Sequence, residues 1–214
     1  MSEDVRFTKA IFDDAARVIK SPVAFYKGMP KTGGYGKPVL FLGVMTFLGF
    51  LVLLIGKALV VRSYDVAGGV IMLVVIPTVI IIASFVGAAI LYGIWKILGS
   101  EENYETAYRC MAYTYAVLPI SSLLAFIPVI GPVIGTVWVA YLVIAASVHV
   151  HKIKPSIAWL VWGLITLLFV GINLSFELGS RHAADKLTIE GQEMEKMKDQ
   201  IMKEMEEAQK NMHK

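Results

Sequence analysis

Side chains able to do chemistry are sparse in this 214-residue chain. Glu105 and Arg109 stand four residues apart with the acid first, the order that favours an ion pair on one helix face. Glu101 and Glu102 precede them. His149 and His151 flank a single residue, so they share a face only in an extended segment, and no further His, Asp or Glu is placed to complete a metal set. The one cysteine, Cys110, excludes an intrachain disulfide and a multi-cysteine site. The run Lys31-Thr-Gly-Gly-Tyr-Gly-Lys37 lacks the GxxxxGK[ST] spacing of a phosphate-binding loop and reads as a flexible connector. No Ser/His/Asp constellation and no pair of facing carboxylates stands out, so an enzyme is not expected, and no cofactor. Inside the apolar stretches the polar groups are the hydroxyls of Thr46, Thr78, Ser84, Ser121 and Ser122, which commonly bond their own helix. Asn173 joins them, and its amide needs a partner in lipid, which predicts a helix-packing role. Glu105 and Arg109 are expected as an interfacial ion pair.

The elements that must position these groups follow from composition. At 57% hydrophobic residues and a mean hydropathy of +0.66, the chain exceeds the roughly 45–50% apolar share of soluble domains. Its +3 net charge is mild and crowded into loops and ends, which excludes nucleic acid as a partner. The expected fold is an all-α integral membrane protein with five transmembrane helices, an N-terminal amphipathic helix and a C-terminal extramembrane helix. Three segments result: 1–37, a cytoplasmic amphipathic segment; 38–176, the five-span membrane domain; and 177–214, a C-terminal amphipathic helix.

In the first segment Phe7, Ile11, Ala15, Val18 and Ile19 fall at helical spacing, with charges on the other faces. That stripe either packs on protein or lies in the plane of the membrane interface. The helix ends before Ser21-Pro22. Acids ahead of the first apolar run predict no cleavable signal peptide, so the first span directs insertion. This span runs from Pro38 to Val61, with Lys57 snorkelling at its far end. Residues 66–98 are apolar for about 50 Å of helix, too long for one ordinary crossing and too short for two. Residues 66–76 are expected as an interfacial, re-entrant or tilted lead-in, followed by a span from Pro77 to Trp95. Ala83 with Gly87 and Ala89 with Gly93 form small-xxx-small pairs suited to close helix packing. Met111–Ile127 and Val133–Val148 form a hairpin joined by Pro128-Val-Ile-Gly-Pro132, and the fifth span is Ile157–Phe176.

Lysine and arginine bias places the N-terminus in the cytoplasm. Five spans then put the C-terminus on the opposite, periplasmic or lumenal, side. In the tail Leu187, Met194, Ile201 and Ala208 recur every seven residues, joined by Met197, Met205 and Met212, a stripe suited to self-association.

Tyr104-Glu-Thr-Ala-Tyr-Arg109 before a span with Tyr113 and Tyr115, then Pro119, Ile127-Pro-Val-Ile-Gly131 and His149–Ala158, resembles the Yip family over about residues 20–176. The resemblance implies a five-span protein with a cytoplasmic N-terminus, a link to Rab-type GTPases, and roles in vesicle trafficking and membrane shaping. The short N-terminus and methionine-rich tail would suit a prokaryotic member. Three functions remain. The first is a non-enzymatic oligomeric membrane scaffold or shaping protein. The second is an oligomeric channel or lipid or solute conduit, selecting by pore diameter and backbone dipoles. The third is an accessory subunit or trafficking adaptor. Membrane lipids, further copies of the chain and a membrane or GTPase protein are the partners these functions imply.

Overall fold

The computed structural model describes residues 3–60 and 65–176, together with positions 179, 194, 197, 198, 201 and 202. The elements it describes are helices. They are α1 (Glu3–Lys20), α2 (Pro22–Gly28), α3 (Gly36–Val60), α4 (Val66–Ile97), α5 (Tyr104–Thr114), α6 (Leu118–Leu124), α7 (Ile130–His149) and α8 (Pro155–Phe176). Four of them, α3, α4, α7 and α8, are long and apolar enough to cross a membrane. The chain divides into two compact units, Met1–Val170 and Gly171–Lys214. The packing that follows belongs to the first.

Local chemistry sets the helix ends. Proline at the first turn of α2 starts that helix after Ser21, whose extended φ of −146° ends α1. Asp65 caps α4 by accepting from Gly68 N at 3.1 Å. Asn103 caps α5 by accepting from Thr106 N at 2.9 Å.

One expectation is narrowed and two change. The residues expected as a lead-in, 66–76, are the first three turns of α4, which runs unbroken through Pro77 for 32 residues. Proline gives no N–H to the preceding turn, and the neighbouring Thr78 hydroxyl donates to Val74 O at 2.8 Å. The stretch expected as one span, Met111–Ile127, is instead α5, a single 3-10 turn at Tyr115–Val117, and α6. Pro119 cannot donate to Tyr115 O, and Leu118 N takes that carbonyl in the tighter register. The turn between the hairpin arms lies earlier than Pro128–Pro132, because α7 begins at Ile130. Val129 takes φ +69° and ψ −56°, and Ile130 N donates to Pro128 O at 2.8 Å, closing a γ-turn.

Of the two placements open to α1, its inner face meets protein. Ala15 and Val18 are buried in the main core with Phe25, Tyr26 and Met29 of the following segment, Met45 of α3, Tyr113 of α5 and Leu142 of α7. The side chain of Phe7 lies outside the described residues. Connections at one end of the bundle meet there: Lys31 pairs with Glu102, and Ser100 Oγ lies 2.7 Å from His151 Nδ1. Helices α3 and α6 pack at glycines. A Cβ on Gly56 would lie 2.1 Å from the Phe126 ring, and one on Gly49 2.8 Å from Leu118 Cγ.

The tightest backbone approach is at the hairpin, where a Cβ on Gly131 would lie 1.8 Å from Leu124 O. Gly131→Ala is therefore expected to destabilise by about 2–4 kcal/mol through backbone displacement. Gly93→Ala, with open space around it, should stay within about 1 kcal/mol. Thermal unfolding of the detergent-solubilised protein compares the two; equal midpoints would rule out this packing at the turn.

Candidate functional site

The first turns of α5 bring together the charged groups of the Tyr104–Arg109 segment. Glu105 Oε1 accepts from Gly34 N at 2.7 Å and from Arg109 Nε at 3.2 Å. Arg109 Nη2 donates to Gly34 O at 2.7 Å. One ion pair thus holds both backbone polar groups of a residue 75 positions from the arginine. The Thr106 hydroxyl shares its proton between Asn103 Oδ1 at 3.0 Å and Lys31 O at 3.2 Å. The connector needs its glycines: Gly33 and Gly34 have φ of +118° and +79°, and a Cβ on Gly33 would lie 3.1 Å from Arg109 Nη2. Arg109 is only 2% exposed. These contacts occupy the carboxylate and guanidinium on each other and on the protein's own backbone.

Tyrosines extend the clamp. Tyr26 donates its hydroxyl to Cys110 O at 3.2 Å, while Phe25 and Tyr113 meet edge to face at 4.8 Å. On the other side, Tyr108 OH lies 3.0 Å from Ser84 Oγ, and Tyr104 OH donates to Phe85 O at 2.7 Å. Tyr35 of the connector packs edge-on against Tyr108 at 5.3 Å.

A second cluster closes the same end of the bundle. Ser147 Oγ accepts the indole N–H of both Trp95 and Trp162, each at 2.8 Å, and donates to Val143 O at 2.7 Å. His151 stacks on Trp95 with ring centroids 3.8 Å apart. Its Nε2 is buried and has no hydrogen-bond partner. Burial first, then the positive charges of Lys31 and Lys96, push its pKa down to about 3.

A cavity of about 530 Å³ lies deeper, between α4, the α5–α6 stretch, α7 and α8. Its wall runs from Met111 to Ser121, from Pro132 to Val143 and from Trp162 to Phe169. Among the described residues no three His, Cys, Asp or Glu stand together to hold a metal.

The small residues singled out on α4 divide. Ala83 and Ala89 are exposed. Gly87 is half-buried, with a Cβ position 3.2 Å from the Met111 methyl, and Gly93 faces open space. The buried small residues of α4 are Ser84 and Ala88, one position along from the first pair. Asn173 is exposed in the last turns of α8. In the tail Met194, Met197 and Ile201 are exposed, whereas Leu187, Met205, Ala208 and Met212 lie outside the described residues. Sequence reasoning missed Gly34 as the partner of Glu105 and Arg109, the burial of His151, and the glycines of α3. Only the last had a signal, the seven-residue spacing of Gly49 and Gly56.

Four apolar helices, with charge gathered where their connections meet, define a polytopic α-helical integral membrane protein. Within that class the chain belongs to the Yip1-domain family, whose model matches residues 16–175. No curated protein and no solved structure matches it.

Removing Arg109 takes away two charge-assisted bonds and a buried side chain, while Glu105, partly exposed, keeps Gly34 N. Arg109→Ala is expected to cost about 1.5–3 kcal/mol, and Arg109→Lys to recover little of it, because an ammonium lacks the planar fork that reaches both Glu105 and Gly34. Detergent-phase thermal melts read both, and full rescue by lysine would contradict the two-bond clamp. His151 adds a pH dependence. Its folded pKa lies below the unfolded value, so the unfolded chain binds the extra proton; the stability it contributes is complete above about pH 6.5. It should fall by up to about 1.4 kcal/mol per unit as pH drops toward 3. His151→Phe, which retains a ring against Trp95, should flatten that part of the profile; an unchanged slope would remove His151 as its cause.

Proposed function

We propose that the chain is a non-enzymatic membrane scaffold that shapes the bilayer by holding a rigid helical platform against one membrane face. The observation that carries this reading is the Glu105–Arg109 clamp on Gly34, which ties the segment after α1 and α2 to the start of α5. A structure resting on a membrane bends it only if its own joint to the spans is stiffer than the bilayer. A glycine connector alone would absorb the load; a connector bonded at its backbone to a buried arginine transmits it.

In this reading α5 and α6 together make the third of five crossings, at about 1.5 Å per residue from Tyr104 to Leu124, and the 3-10 turn is accommodated because it is packed within protein. The platform is cytoplasmic, in line with Lys27, Lys31, Lys37, Lys96, Lys152 and Lys154, and the tail lies opposite. Exposed Lys9, Phe12, Arg17 and Lys20 of α1 suit a surface of anionic headgroups. The tail stripe through Met194, Met197 and Ile201 multiplies the effect by joining copies. Membership of the Yip1-domain family supports a membrane-organising role, and a GTPase docking on the platform would be its regulator.

Reconstitution into vesicles of phosphatidylcholine and phosphatidylglycerol tests the reading by electron microscopy. Rising protein density should yield tubules or small vesicles. Arg109→Ala should insert normally but remodel poorly, and Tyr26→Phe, losing only the bond to Cys110 O, should fall between. Vesicles left unchanged by fully inserted wild-type protein would end the proposal.

A further inference from the structure

The cavity among α4 to α8 is hydrocarbon in character although several residues on its wall carry hydroxyls. Thr114, Thr136 and Thr166 donate to Met111 O, Pro132 O and Trp162 O of their own helical turns at 2.7, 2.8 and 2.6 Å. Their protons are thereby engaged on backbone, leaving them without a free donor. Ser121 Oγ, on the same wall, is buried and has no partner; it stands 3.0 Å from where a Cβ on Gly135 would be, and is a single hydroxyl on a largely apolar lining. A hydrated solute would find little to bond here. The cavity's 530 Å³ falls within the range of about 300–1,000 Å³ typical of ligand pockets.

Its dimensions identify the occupant. Along α7 the wall extends from Pro132 to Val143, about 16 Å at 1.5 Å per residue, which is close to half of a hydrocarbon core about 30 Å thick. That is the reach of the chains of one leaflet. Val139 of α7 and Phe169 of α8, both on the wall, are 38% and 54% exposed, so the cavity opens sideways between these two helices, where lipid stands. The void's lining lacks packing partners that a chain of methylenes would supply. We infer that this cavity holds one acyl chain of a bilayer lipid, admitted laterally between α7 and α8. The inference goes beyond the scaffold reading and does not depend on it.

The full chain in nanodiscs of phosphatidylcholine, with a small fraction of phosphatidylcholine carrying a diazirine on one acyl chain, provides the test. After illumination, peptide mass spectrometry locates the adducts. They should be about tenfold denser on residues 135–143 than on the exposed α4 residues Ile82 and Val86, the ratio expected of a bound over a passing chain. Ala140→Phe, which fills the cavity, should remove that excess and leave Ile82 and Val86 labelled as before. If that variant does not fold, Val139→Trp at the rim should have the same effect. Thr136→Val and Tyr115→Phe, which delete hydroxyls, should leave the excess intact. Equal labelling inside and outside, or an excess that survives both blocking variants, overturns the inference, and so does an excess lost with the hydroxyls, since the occupant would then be polar.

Discussion

The clamp of α5 on Gly34 is the interaction on which the rest of this structure depends. A carboxylate and a guanidinium at the end of a helical bundle must be paired, since an uncompensated buried charge costs several kcal/mol. Here they pair with each other and with both backbone polar groups of one glycine. The arrangement satisfies four demands in one place: the acid, the base, a loop N–H and a loop carbonyl. Around it the connector adopts the left-handed conformations that only glycine takes readily. Phe25, Tyr26 and Met29 are thereby delivered into the core beside Tyr113 and Leu142. The anchor thus adds a polar tie to the apolar packing that already holds α1 and α2.

The break between α5 and α6 is the second constraint. A backbone group buried among helices needs a partner, and Pro119 removes one donor from the middle of the stretch. The 3-10 turn recovers Tyr115 O through Leu118 N. Close packing protects the weakened turn: Ala116 and Val117 are buried, and Gly49 and Gly56 let α3 come against α6. Helix association in lipid gains little from the hydrophobic effect, so shape fit of this kind supplies the attraction. The same reasoning explains the cavity. Where α7 and α8 do not close against α5 and α6, lipid can complete the packing.

The groups that ordinarily signal chemistry are engaged in holding the fold: Arg109 and Glu105 on the connector, Ser147 on two indoles, and His151 in a stack with Trp95. The scaffold proposed above takes these contacts, together with membership of the Yip1-domain family, as its support.

The sequence by itself determined that the chain is helical and membrane-embedded. It also determined the approximate starts of α3 and α8, because hydropathy and charge placement are local properties read at a fixed rise per residue. Pro22 acts within one turn and was equally legible, whereas the Asn103 cap of α5 emerged only in the structure. The Glu105 and Arg109 pair was visible as a four-residue spacing, and so was the family resemblance carried by Tyr104–Arg109. The continuity of α4 was not visible, because Pro77 can end a helix or sit inside one, and surroundings decide which. The tertiary structure alone decided that Arg109 reaches Gly34, that His151 turns inward onto Trp95, and that Ser84 and Ala88 of α4 are the buried small residues. These contacts join positions from 24 to 75 residues apart in sequence. Hydropathy and helical period say which face of a helix is buried, but the partner it is buried against is set by how several helices share one volume.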